Sequence, residues 1–117
     1  MKEAKKHFVI RSKIWIDDEQ GKVVFGEGRY LILETVDRLK SLNAAAKELK
    51  MSYRALWGKI KASEQRLGQS LVMKEGKGSR LTPFAEKLLV QYRKLQETIR
   101  EESDGVYDSL VARYLSQ

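Results

Sequence analysis

The chain has 117 residues, 42% hydrophobic and 33% charged, with a net charge of +7, which is enough for one domain with a modest core and a highly charged surface. No apolar run approaches the ~20 residues needed to cross a bilayer, and the first residues, MKEAKKHFVIRSK, lack the unbroken apolar stretch of a secretion signal. Without cysteine there is no disulfide or thiolate metal site, a composition compatible with the cytoplasm.

Residues 7–16, HFVIRSKIWI, alternate. Phe8, Ile10, Ser12, Ile14 and Ile16 fall on one face and Val9, Arg11, Lys13 and Trp15 on the other, which predicts a half-buried strand. DDEQGK supplies a turn and VVF at 23–25 a second short strand, so residues 7–26 read as an N-terminal hairpin. From Glu27 the period changes. Tyr30, Leu31, Leu33, Val36, Leu39 and Leu42 mark an amphipathic helix ending near Ser41.

Residues 41–68, SLNAAAKELKMSYRALWGKIKASEQRLG, then read as two short helices joined by a tight turn. Asn43 is placed to cap the first and Ser52 the second, because each side-chain oxygen can accept a bond from an unpaired first-turn amide. Ala44, Ala45 and Ala46 let two helices cross closely, and Leu49 and Met51 bracket the turn. Leu56, Ile60, Ser63 and Leu67 form the inward stripe of the second helix, which stops at Gly68. Residues 71–81, LVMKEGKGSRL, predict a hairpin with its tip at Glu75–Gly78, where Gly76 and Gly78 permit the reversal and Lys74, Lys77 and Arg80 supply cations.

Thr82 and Pro83 open a further helix as cap and first residue, without a capping box because Ala85 stands where Glu or Gln is needed. Ala85, Leu88, Tyr92, Leu95 and Ile99, with Leu89 adjacent, make a heptad-like seam. The seam either packs on its own domain or pairs with a second chain; the helix is long for the domain before it, which favours pairing. Ser103-Asp104-Gly105 is expected to break this helix, and Tyr107, Leu110, Val111, Tyr114 and Leu115 to form one face of a short terminal helix.

The parts add to a mainly α fold with small β: a single domain over 1–117 comprising the hairpin 7–26, a winged helix-turn-helix over 27–81, and a C-terminal dimerisation helix with its terminal helix over 82–117. Charge follows the same division, with +2 on residues 1–42, +6 on 43–81 and −1 on 82–117. A positive second helix followed by a cationic hairpin points to double-stranded DNA, since displaced counterions drive phosphate binding.

The residues also resemble a known family. The Ala pair, Ser52, Ala55-Leu56, Ile60, Glu64, Leu67-Gly68, Leu71 and Leu81-Thr82 are similar to the LysR-type winged helix-turn-helix. Within that group, FGEGR at 25–29, AAA at 44–46, MSYR at 51–54 with Trp57, LTP at 81–83 and the earlier KIW at 13–15 resemble the DNA-binding domain of ModE-type molybdate-dependent regulators, over residues 8–95 or so. The family's LTPAG is LTPFA here, with Ala85 in place of its glycine. The resemblance implies a winged fold, homodimerisation and DNA binding. Full-length members carry a C-terminal oxyanion-binding module, and with the sequence ending at Gln117 neither a molybdate response nor another small-molecule effector is expected within this chain.

A recognition helix enters the major groove by its N-terminal part, so residues near Ser52 come closest to base edges. Tyr53, Arg54, Trp57, Gly58 and Lys61 lie off the inward stripe. Arg54 suits bidentate contact with guanine. Tyr53 suits a base edge or a phosphate, Lys61 a phosphate, and Gly58 permits close approach. Trp57 fits either the groove side or the helix–helix core. Ser41 and Asn43, at the start of the first helix, suit a phosphate, and Lys77 and Arg80 on the wing suit phosphate or the minor groove.

Catalytic readings are thin. His7, the only histidine, sits beside Lys5 and Lys6 at a strand start, with no nucleophile-elbow motif elsewhere. Asp17, Asp18 and Glu19 read as a polar turn before a magnesium site, and the GEG of Gly26 and Gly28 lacks the rest of a nucleotide-binding fingerprint. The expectation is a non-enzymatic, cofactor-free homodimeric regulator on a pseudo-palindromic operator. A nonspecific architectural DNA-binding protein and a dimeric adaptor of a longer regulator are the alternatives.

Overall fold

A computed structural model describes residues 9–115. Strand β1, Trp15–Asp17, pairs antiparallel with β2, Val23–Gly26, through a turn closed by Asp18, whose carboxylate accepts from the amides of Gln20 and Lys22 at 2.9 Å each. The amide of Lys22 is the largest influence on the Asp18 carboxyl and, with the Gln20 amide and the charges of Arg66 and Lys22, holds it below its ordinary value, although desolvation, second in size, pushes it up.

The expected strand over 7–16 is much shorter. Val9 to Ile14 are irregular, and His7 and Phe8 lie outside the described residues. The reason is the partner: β2 has four residues, its Gly26 pairs with Trp15, and the next helix begins at Glu27, so nothing continues the ladder upstream. Trp15 and Ile16 are exposed rather than half-buried, while Val24 and Phe25 on β2 face the core.

Helix α1, Glu27–Leu39, buries Ile32, Leu33, Thr35 and Val36. It is followed by α2, Leu42–Glu48, and α3, Tyr53–Leu67. Ser41, not Asn43, caps α2: its Oγ accepts from the Ala44 amide at 3.1 Å. Lys40 takes the left-handed conformation (φ 56°) and Ser41 is extended, so the chain enters α2 two residues earlier than expected and Asn43 lies inside the first turn. Ser52 caps α3 through the Ala55 amide at 3.0 Å, and α3 ends at Gly68.

Strands β3, Val72–Glu75, and β4, Gly78–Leu81, form the second hairpin in a register that pairs Met73 with Arg80. Gly76 occupies the left-handed turn position (φ 60°), whereas Gly78 serves close approach: a Cβ there would lie 2.3 Å from the Lys40 carbonyl oxygen. The Ser79 amide donates to that same oxygen at 2.9 Å, seating the hairpin on the end of α1.

Helix α4 spans Pro83–Leu110, capped by Thr82, whose Oγ1 accepts from the Ala85 amide at 3.1 Å. It runs unbroken through Ser103-Asp104-Gly105 and passes into a π-helical turn over Val111–Leu115. One interior glycine costs about 1 kcal/mol relative to alanine and removes no hydrogen bond, so without a proline it does not end a helix. At 28 residues α4 is about 42 Å long. The radius of gyration, 18.7 Å against about 13 Å for a compact chain of this size, reflects its projection from the domain.

The core lies where β2, α1, α2, α3, β4 and the start of α4 meet, around Phe25, Leu33, Val36, Leu56, Ile60, Leu71 and Leu81. Tyr92 ties α4 to it. Its ring meets Phe25 edge-on at 5.1 Å and Tyr30 at 5.5 Å, and its hydroxyl donates to the Ile14 carbonyl at 2.7 Å.

Candidate nucleic-acid interface

Helix α3 is fixed from one side. Leu56, Ile60 and Ser63 are buried, and Arg29 of α1 donates Nε–H to Ser63 Oγ at 3.1 Å. Anchoring that stripe turns the opposite face outward. Arg54, Gly58, Lys61 and Gln65 follow one another at helical spacing there and are all exposed. Arg54 makes no ion pair among the described residues. Nothing stands within 4 Å of where a Gly58 Cβ would be, so the backbone at that point is open.

Trp57 belongs to this outer surface. Its ring stacks on Tyr53 with centroids 6.5 Å apart and planes 14° from parallel, and Lys61 Nζ sits 4.4 Å from its centroid. Lys61 also pairs with Glu64 at 2.9 Å. These contacts hold the Tyr53, Trp57 and Lys61 side chains in a defined row on the N-terminal two-thirds of α3.

Glu64 links that row to the wing. While Oε1 meets Lys61, Oε2 accepts from the Leu71 amide at 2.7 Å and the Val72 amide at 3.4 Å, at the root of the β3–β4 hairpin. Burial is the largest influence on the Glu64 carboxyl and pushes it up. The Leu71 amide, Lys61 and the Val72 amide together outweigh it and hold the group below its ordinary value of 4.5. Charge on Glu64 therefore stabilises the fold above the unfolded-state value, and that contribution disappears as pH falls through the lower folded-state value. Glu64→Gln, which keeps an acceptor but loses the charge, is expected to cost about 1 kcal/mol at pH 7 by denaturant unfolding. The gap from the parent should close as pH drops below 4.5.

On the wing, Lys74, Lys77 and Arg80 are exposed, and Arg80 lies 3.9 Å from Glu75 across the hairpin. Ser41 and Asn43 sit at the start of α2, Ser41 half-buried with its oxygen occupied by the helix cap and Asn43 exposed. The structure thus brings Ser52, Tyr53, Arg54, Trp57, Gly58 and Lys61 onto one helix. Gln65 is an outward residue that sequence reasoning passed over, although its position seven residues after Gly58 carries the signal.

The α4 seam divides. Ala85, Leu89 and Tyr92 are buried in the protomer's own core, so they correct the expectation of a single dimerisation set. Leu88 is half-buried against that core, Ile99 half-buried and Leu95 exposed. Because α4 does not break, Val106, 71% exposed, and Leu110, 43% exposed, extend the line through Leu95 and Ile99. On an ideal helix these four residues fall within an arc of about 60°.

Comparison with known proteins agrees with this architecture. Residues 29–86 match the family described as bacterial regulatory helix-turn-helix protein, lysR family. The molybdenum transport protein ModE of Azotobacter vinelandii is 26% identical over 104 residues, covering 85% of this chain and 38% of its own length. The molybdenum-pterin-binding protein MopB of Rhodobacter capsulatus is 36% identical over 72 residues, 57% of this chain and 27% of its own length. The chain thus spans well under half of these relatives. Among solved structures, the DNA-binding domain of CbnR in complex with DNA aligns with a TM-score of 0.54 and 26% identity, covering 69% of this chain and 91% of that one.

Proposed function

We propose that this chain, whose residues 29–86 are a helix-turn-helix domain of the bacterial lysR-type regulatory family, is a DNA-binding transcriptional regulator that acts as a homodimer on a pseudo-palindromic operator. The observation that carries the reading is the outward face of α3: an arginine without an ion pair among the described residues, an ordered Tyr–Trp–Lys row and open backbone at Gly58, set beside a cationic wing. The solved DNA complex of a domain with the same fold supports duplex DNA as the partner.

In this reading the N-terminal end of α3 enters the major groove, with Arg54 on a base edge, Tyr53 and Trp57 against base edges or sugar, and Lys61 on phosphate. Ser41 and Asn43 approach one strand's backbone, and Lys77 and Arg80 reach phosphate beyond it. The apolar line of α4, Leu95, Ile99, Val106 and Leu110, pairs with the same line of a second copy. The two copies of α3 then stand about 34 Å apart, one helical turn of DNA. No catalytic step is involved. Among the described residues no helix is long and apolar enough to cross a membrane, and the proposed site of action is the DNA in the cytoplasm.

Binding to a sequence selected from random duplexes separates this reading from the others. Arg54→Ala should lose about 1–3 kcal/mol on the selected site and much less on random DNA, measured by fluorescence anisotropy at fixed salt. Equal losses on both would move Arg54 to phosphate. Lys77→Ala should weaken all sequences alike and lower the salt slope by about one; an unchanged slope removes the wing from the contact surface. Failure to select any sequence would leave an architectural protein, and failure to bind DNA at all an adaptor.

A further inference from the structure

The domain carries a second concave surface away from α3's outer face. Two adjoining depressions, of about 600 and 180 Å³, share Gly28, Arg29 and Leu31 at the start of α1. The first is walled by Trp15 of the N-terminal hairpin and the second by Leu49 and Met51 of the turn before α3. Trp15 is 57% and Leu31 47% exposed, and both line the same depression, so they form a contiguous apolar patch rather than scattered exposed residues. Gly28 contributes no side chain, and nothing stands within 4 Å of where its Cβ would be, so the two depressions join over it.

Charge selects the occupant. The lining carries Lys13, Arg29 and Lys59 against Glu27 alone. Arg29 is half-buried, has no carboxylate partner among the described residues, and has its charge disfavoured by burial and then by neighbouring Arg66. An incoming carboxylate would offset both effects by pairing with the guanidinium. Lys59 lies about 140° around α3 from Arg54, so this surface stays open when the outer face of α3 is occupied.

We propose that the groove between Trp15, Leu31 and Met51 docks an acidic amphipathic helix of a partner protein, with apolar anchors over Gly28 and carboxylates on Lys13, Arg29 and Lys59. Apolar anchors at i, i+3, i+4 and i+7 suit a groove of this kind, and the cationic rim sets partner choice. The proposal goes beyond DNA binding and stands or falls separately from it.

The test titrates the whole chain with a synthetic peptide of about 14 residues carrying leucines at those four positions and glutamates elsewhere. NMR signals of the Trp15 indole, the Leu31 methyls and the Met51 methyl report the site. Saturable shifts confined to these residues are expected, with Kd below about 1 mM. Binding should weaken at least about fivefold in Leu31→Ser and in Lys59→Glu, and a peptide with lysines replacing the glutamates should bind at least about tenfold more weakly. Both substitutions are at exposed positions, and unchanged thermal unfolding verifies that the domain is intact. The proposal is overturned by absent binding, by equal binding of the two peptides, by shifts centred on α4, by duplex DNA producing the same shifts, or by Leu31→Ser changing the oligomeric state.

Discussion

Leu95→Glu combined with Ile99→Glu is expected to convert the protein to a monomer and to weaken binding to a two-half-site duplex by at least about 100-fold, while each copy keeps its helical content by circular dichroism. Beyond the domain, α4 has no core of its own to join: Leu95, Val106 and Leu110 are exposed, Ile99 is half-buried, and the line they form is continuous because the helix does not break. In the proposed dimer, substitutions there subtract contacts between copies and few within one. Binding of two linked half-sites draws on effective concentration, and uncoupling the copies forfeits a factor of about 10²–10⁴. Two carboxylates per helix, placed on a paired line, add like-charge repulsion across it. Analytical ultracentrifugation and anisotropy on single and double half-sites read the two consequences. A variant that stays dimeric would place the contact between copies elsewhere, and a monomer that keeps full affinity would remove the dimer from recognition.

Tyr92→Ala is expected to have the largest effect on stability, about 3–5 kcal/mol, the range for emptying a large aromatic from a core. The ring closes the junction of β2, α1 and α4 through Phe25 and Tyr30, and its hydroxyl is the link from α4 to the segment entering β1. Tyr92→Phe keeps the ring and deletes the hydroxyl's bond to the Ile14 carbonyl and its contact with Gln96, which should cost about 1 kcal/mol. Denaturant unfolding distinguishes the two. Equal effects would mean that the hydroxyl rather than the packing holds α4 in place. Loss of DNA binding in Tyr92→Ala should follow its unfolding, since the ring does not lie on the outer face of α3.

The parts of this fold that are legible in the sequence are those set by a residue's own chemistry. Ser52 and Thr82 each have one use at a helix start, and the structure has them there. Leu56, Ile60 and Ser63 repeat at helical spacing on a helix whose other faces are polar, so the inward side of α3, and with it the outward one, was decided locally. What sequence alone missed depends on partners. Alternation over 7–16 describes a strand correctly only where a second strand lies alongside, and β2 is too short to provide one. Asn43 and Ser41 are comparable caps in isolation; the left-handed turn at Lys40 decides between them. The pattern in α4 gives a face but not what covers it, and the core takes Tyr92 while leaving Leu95 outside. Gly105 reads as a stop from its own penalty alone, but the 28-residue helix around it carries that cost. In the site, Glu64 read as part of a family pattern, and its role in joining α3 to the wing emerged only from the position of the Leu71 amide.

The central claim is that two copies of this chain present α3 to successive major grooves of one duplex. Selection of bound sequences from a random duplex library, followed by hydroxyl-radical footprinting of the winner, tests it most directly. The account predicts a two-fold-symmetric sequence with half-sites centred about 10–10.5 base pairs apart and matching protection on both strands. Protection of a single half-site, or uniform protection without any enriched sequence, would contradict it.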